Sequence, residues 1–151
     1  GKSKNLGEVS SEHCLTLRTS IIGRELRTSH SLVEWFLSNR GSSIKGFANA
    51  IYSGFPTVVL ADIIRSLIFE RPGLNGLYHV SSDPINKFEL LNLLNKYYKV
   101  NVQIDTSADF VIDRSLNSSA FRKSTGFSPM SWEQMIEQMA ADPTPYVKWK
   151  H

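Results

Sequence analysis

Stretches rich in β-branched residues alternate along this chain with stretches of helical period, and that alternation directs it to an α/β fold rather than an all-α or all-β one. Residues 14–22 read as a well-buried strand that ends in a turn at Gly23. A polar loop over 24–29 leads to a short amphipathic helix over 31–39, in which Leu32 and Phe36, and Val33 and Leu37, recur at i, i+4. Residues 42–52 read as extended; Gly54, Phe55 and Pro56 break them, and Thr57 is placed to cap a helix over 58–69. Only Asp62, Arg65 and Ser66 interrupt the apolar character of that helix, so cover on more than one side is expected. A turn at Pro72, Gly73 and Gly76 precedes a strand over 77–80, and Asn86 with Glu89 forms a capping-box pattern for a helix through Tyr98. Residues 101–105 alternate like a half-exposed strand. Two short helices follow: one closes at Gly126, and one is opened by Ser131 with Gln134 and carries Trp132, Met135, Ile136 and Met139 on one face.

The first residues pose a separate problem. Residues 2–13 place Leu6, Val9 and His13 at helical spacing, which predicts a buried stripe, yet no Met, cap or leading strand precedes them. The residue that would share the helical face of Lys4 from four positions earlier falls immediately ahead of Gly1. The chain therefore reads as a fragment. Its strands are too few for a complete parallel sheet, and no glycine-rich phosphate turn follows the first strand, since Gly73 and Gly76 lie in a turn that precedes one. A nucleotide-binding half is expected upstream.

Several function classes find no support. At 151 residues and 41% apolar, the chain can bury one core and at most a second small lobe. The single Cys14 rules out an internal disulfide and a cysteine metal cluster, and a reducing compartment, the cytoplasm, is expected. No apolar run approaches the roughly 20 residues that span a bilayer, so no membrane partner is expected. The net charge of +3 is scattered without a dense basic block, which speaks against nucleic acid. His13, His30 and His79 lack metal-ligand spacing, and no nucleophile-elbow sequence surrounds a serine.

A succession of short blocks carries more. Gly1-Lys-Ser-Lys4 with Glu8, Leu17-Arg-Thr-Ser-Ile-Ile-Gly23, Gly54-Phe-Pro-Thr57, Gly76-Leu-Tyr-His-Val-Ser-Ser82, Asp113-Arg-Ser-Leu-Asn-Ser118 and Thr125-Gly-Phe-Ser-Pro129 resemble, in this order, the C-terminal half of an extended short-chain dehydrogenase. The subgroup resembled is the sugar-nucleotide reductases typified by dTDP-4-dehydrorhamnose reductase. The resemblance implies the C-terminal portion of a Rossmann-like NAD(P)-binding fold plus a small α/β substrate-binding lobe. Residues 1–23 and 57–82 would then be remnants of the Rossmann-like domain, 24–56 and 83–142 the lobe, and 143–151 a tail that crosses the surface or is poorly ordered.

In that family a Tyr and a Lys four residues later share a helix, and the Lys corresponds to Lys4. The chemistry explains the spacing, because a phenol of pKa about 10 exchanges protons poorly near neutrality and an ammonium one turn away favours its ionised form. The resemblance further implies that Lys4, Thr19, Ser20 and Ile21 border NADP or NAD, which the missing N-terminal half would mainly bind. It implies that Ile22 and residues 23–26, Arg24 and Glu25 among them, border a nucleotide-sugar substrate.

Each assignment has a plainer competitor. Lys4 can be a surface lysine paired with Glu8, and Ile21 and Ile22 an ordinary buried strand end. Arg24 can grip phosphate or a sugar hydroxyl, or lie free at the surface. Arg114 suits bidentate contact with a diphosphate, but can instead pair with Asp113 to anchor a tail helix capped by Ser118 or Asn117. Trp35 and Tyr52 can stack on a base or fill a core; His79 reads as a packed strand residue.

The expected parent is an NAD(P)H-dependent reductase of a nucleotide-activated 4-keto-6-deoxysugar, of the kind used in polysaccharide biosynthesis, with this fragment inactive by itself. A non-catalytic regulatory or binding protein on the same fold, and a sugar-nucleotide epimerase or dehydratase, stand as alternatives. Self-association through an exposed sheet edge is also expected.

Overall fold

The computed structural model describes residues 2–9 and 11–149. Gly1 of the opening motif and the last two residues of the tail lie outside them. Four small sheets, mostly parallel, alternate with helices. Strand β1 (Leu15–Arg18) pairs in parallel with β6 (Gly76–His79), and the long connection between them ends in α3 (Thr57–Glu70). The run over 14–22 is not one strand: Thr19 and Ser20 interrupt it, and β2 (Ile21–Ile22) leaves to pair with β5 (Phe55–Pro56). The stretch over 42–52 is broken likewise by a turn at Ala48 and Asn49. It yields β3 (Ser43–Phe47), parallel to β8 (Gln103–Ser107), and β4 (Ala50–Tyr52), flanked by β7 (Ile85–Asn86) and β9 (Ile112–Asp113).

Local chemistry sets most helix ends. Ser31 caps α2 (Leu32–Ser38) by accepting the Glu34 amide, and Asn86 caps α4 (Lys87–Tyr98) by accepting the Glu89 amide at 2.8 Å. Helix α5 (Ser119–Thr125) stops at Gly126 with φ of 72°, a left-handed conformation that suits glycine. Helix α6 (Trp132–Ala140) has the full reciprocal box between Ser131 and Gln134. Thr57 does not cap α3. Pro56 occupies that position without a side-chain bond, and Thr57 is the first helical residue.

Two apolar clusters form the interior. One joins Ile22, Val33 and Phe36 to Leu90, Leu91, Leu94, Ile136 and Met139; the other joins Phe55, Val59 and Leu67 to Val80, Phe121 and Met135. Helix α6 seats both, because its apolar face is wide enough to place Ile136 in the first cluster and Met135 in the second.

Two expectations about cover fail. Helix α1 spans only Lys2–Leu6 and buries nothing; Leu6 is 86% exposed, and Val9 and His13 are also exposed. Five residues make little more than one turn, and no other element of the described chain lies against their apolar side. Helix α3 is covered on one side alone: Val59 and Leu67 are buried, whereas Ile64, Ile68 and Phe69 are 41%, 62% and 77% exposed.

Candidate functional site

β1 and β6 end level, Arg18 opposite His79, and beside their carboxyl ends lies a concavity of about 600 Å³. Lys4 and Asn5 of α1 line it together with Thr19, Ser20 and His79. Its wall is held by a clamp between α1 and β1. Arg18 donates from Nε and Nη2 to the two carboxylate oxygens of Glu8, each at 2.7 Å, and from Nη2 to Asn5 Oδ1 at 3.2 Å. The Arg18 hydrogen bond holds the Glu8 carboxyl below its usual range. Glu8 is therefore the partner of Arg18 and not of Lys4. No hydrogen bond or ion pair among the described residues engages the exposed Lys4 side chain. Ser20 fixes the strand break through its carbonyl, which accepts the Phe55 amide at 2.9 Å.

A second concavity, of about 470 Å³, is reached from the next residues of the chain, Ile21 and Ile22. Ile21, Ile22, Tyr52 and Arg114 line it together with Lys87, Phe47, Phe110 and other apolar residues. The backbone explains how distant residues meet here: β4 carries Tyr52 beside β9, and the Arg114 amide donates to Ile51 O at 3.0 Å. The Tyr52 hydroxyl is buried without a hydrogen-bond partner among the described residues, and burial raises its pKa. It lies against Gly54, where a Cβ would stand 1.9 Å from Tyr52 Oη and 2.3 Å from Ser20 O, so only glycine fits that position.

Other sequence candidates take different places. Arg24 is not a free surface charge: Nε donates to Glu34 Oε1 at 2.6 Å, both side chains are largely buried, and the guanidinium lies over the Tyr146 ring at 5.0 Å. Tyr146 opens a short 3-10 helix, Tyr146–Trp149, so the tail is seated by this contact. Glu25 is turned into its own loop, where its carboxylate accepts from Thr28 Oγ1 at 2.7 Å and from the His30 amide at 2.8 Å. The Thr28 bond foremost keeps that carboxyl below its ordinary range. Trp35 lines neither concavity; the Lys87 ammonium covers its ring at 5.1 Å. The anchoring pair offered for Arg114 does not form. Asp113 Oδ1 accepts the Ser115 amide at 2.8 Å instead, and Asn117, not Ser118, accepts the Ser119 amide. Ser118 makes no capping bond; its hydroxyl accepts from Arg122 Nε.

Sequence reasoning missed Arg18 as the owner of Glu8, and Lys87, Phe47 and Phe110 as pocket residues. One signal was available for Lys87: a lysine directly after an N-cap faces the positive end of its helix, an unfavourable place for a cation. Among the described residues no cluster of His, Cys, Asp or Glu could hold a metal ion, and no helix is long and apolar enough to cross a membrane.

The chain matches no protein-family model and no curated protein. Solved structures do match. A dTDP-4-dehydrorhamnose reductase from Bacillus anthracis str. Ames, in complex with NADP, is 22% identical with a TM-score of 0.69 over 85% of this chain and 48% of its own. A hypothetical dTDP-4-dehydrorhamnose reductase from Sulfolobus tokodaii is 26% identical with a TM-score of 0.63 over 88% and 51%. A UDP-N-acetylglucosamine 4-epimerase from Bacillus cereus is 17% identical with a TM-score of 0.58 over 88% and 48%. The chain spans about half the length of the solved structures it matches. Across that half it has the mixed α/β, Rossmann-like fold of the dTDP-4-dehydrorhamnose reductases and related sugar-nucleotide enzymes of the short-chain dehydrogenase/reductase type.

Proposed function

We propose that the chain is the substrate-side half of an NAD(P)H-dependent reductase that acts on a nucleotide-activated 4-keto-6-deoxysugar. The observation that carries this reading is that Lys4, Thr19 and Ser20, from two separate elements, open on one concavity at the carboxyl end of β1. An ammonium without a protein partner, beside two hydroxyls and a clamped wall, suits the ribose and nicotinamide end of a dinucleotide. Such a cofactor supplies hydride when bound. Lys4 is assigned the holding of ribose hydroxyls and the ionisation of a phenol one helical turn ahead of it in the longer reading frame. The Arg18–Glu8 clamp keeps α1 against β1, so that Lys4 stays over the strand end. The second concavity is assigned the substrate, with Ile22, Tyr52 and Arg114 on its wall. Arg24 and Glu25 act one step back, shaping the loop between β2 and α2.

Reductase is set ahead of epimerase or dehydratase because reductases reach 22% and 26% identity at TM-scores of 0.69 and 0.63, against 17% and 0.58 for the epimerase and 10% and 0.62 for a dehydratase. These 151 residues hold no tyrosine before Tyr52 and no glycine-rich turn between a strand and a helix. The purified chain is accordingly expected to oxidise no NADPH in the presence of a dTDP-4-keto-6-deoxyhexose. Joined to the preceding half of its reading frame it should do so, and Lys4→Met should lower kcat by about 100-fold or more. Turnover by the isolated chain, or an unimpaired Lys4→Met enzyme, would refute the assignment.

A further inference from the structure

Lys87 is a cation of the second concavity for which no carboxylate partner is found among the described residues. It opens α4, where the helix dipole disfavours a cation, and it is half-buried, so that loss of water pushes its pKa down. A lysine in such a position ordinarily has a carboxylate beside it. None of the six ion pairs among the described residues includes Lys87, and no Asp or Glu lines its concavity. Its ammonium instead lies over two ring faces, Trp35 at 5.1 Å and Phe47 at 5.4 Å. Those contacts orient the side chain while leaving its three donors without an oxygen acceptor.

The same concavity holds a second cation. Arg114 is exposed, its backbone is pinned to β4, and the neighbouring Asp113 carboxylate is already engaged by the Ser115 amide. Two positive groups therefore share about 470 Å³ with apolar walls that include Phe110 and Ile112. Like charges placed together in a partly dry pocket are stable when an anion joins them, and a group with two linked phosphates can meet both. The flanking apolar surface then suits the uncharged remainder of such a ligand.

We propose that Lys87 is the principal anion-binding residue of this concavity and, with Arg114, takes the diphosphate of a nucleotide-linked ligand. This rests on the substrate reading given above but names a residue which that reading does not require. The roles divide by geometry: Lys87, held by its two rings, supplies a fixed point charge, and Arg114 at the rim supplies the planar fork.

Isothermal titration of the 151-residue chain with dTDP, inorganic pyrophosphate and thymidine tests this. Wild type should bind dTDP and pyrophosphate with affinities that fall as salt rises, and thymidine far more weakly. Lys87→Met should weaken dTDP binding by about tenfold to a hundredfold, Lys87→Arg should retain most of it, and neither should lower the melting temperature. If Lys87→Met failed to fold, the salt dependence and Lys87→Arg would still decide. Unchanged dTDP affinity in Lys87→Met would overturn the inference while leaving the nucleotide-sugar reading standing. Lys87-dependent binding of pyrophosphate without binding of dTDP would support the anion site and sink that reading. Failure of wild type to bind either anion would overturn the inference.

Discussion

Arg24 and Glu34 separate a structural role from a ligand-binding one by measurement. Arg24 Nε donates to Glu34 Oε1 at 2.6 Å, with side chains 18% and 5% exposed, and the same oxygen accepts the Glu25 amide at 3.1 Å. Replacing Arg24 with Met takes the balancing cation from a buried carboxylate on a helix whose Val33 and Phe36 are fully buried. Breaking a buried pair from one side costs about 3–5 kcal/mol, and the residual exposure of the guanidinium places the expectation at the lower end, about 3 kcal/mol. A domain of this size loses about 2–4 °C of melting temperature per kcal/mol, so Arg24→Met should melt roughly 6–12 °C below wild type in calorimetry. Glu34→Met should cost a similar amount, because it strands the guanidinium over Tyr146. The double variant removes both charges and should recover about 2 kcal/mol of the summed loss. Affinity for dTDP should stay unchanged throughout. A single variant melting within about 2 °C of wild type, or strict additivity in the double, would show that the pair does not hold the loop. Arg24 would then return to the ligand-facing role that its position after a strand suggests.

Three further outcomes follow from the packing. Gly54→Ala must displace the Tyr52 ring or the Ser20 carbonyl, and should cost about 3 kcal/mol in urea denaturation; a loss below about 1 kcal/mol would mean that the approach is not close. Tyr98 is pushed up to about 12 by burial, and its hydroxyl donates to Met139 O at 3.2 Å. A group whose folded pKa exceeds its unfolded value near 10 withdraws its stabilisation as pH rises between the two, so the melting temperature should fall from about pH 10 to 12, and less steeply in Tyr98→Phe. Finally, β1 pairs with β6 alone among the described strands, and Ile68 and Phe69 lie exposed nearby on α3. The isolated chain should therefore self-associate in light scattering, and Ile68→Glu with Phe69→Lys should shift it toward monomer with little loss of stability; a wild-type monomer at all concentrations would count against this.

Much of the local structure was legible because it rests on interactions within four residues. The Ser131–Gln134 box, the glycine stop at Gly126 and the Asn86 cap are backbone satisfactions that a few adjacent side chains settle. The order of blocks from Gly1 to Pro129 was equally legible, and it pointed to the fold that the reductase structures share. Less visible were the breaks at Thr19 with Ser20 and at Ala48 with Asn49. A strand ends where its neighbour ends, and the partners β5, β6, β8 and β9 lie tens of residues away.

From sequence alone, then, came the α/β alternation, most helix boundaries and the grouping of Lys4 with Thr19 and Ser20 as candidates. Tertiary structure alone decided that Glu8 went to Arg18 and Arg24 to Glu34, whereas Asp113 was taken locally by the Ser115 amide. It also decided which cations, Lys87 and Arg114, were left facing a pocket. The physical reason is that a charge acts through whatever lies within a few ångströms of it in space. Chain position fixes that neighbourhood only within a helical turn, and every one of these choices except that of Asp113 was made between residues at least ten positions apart.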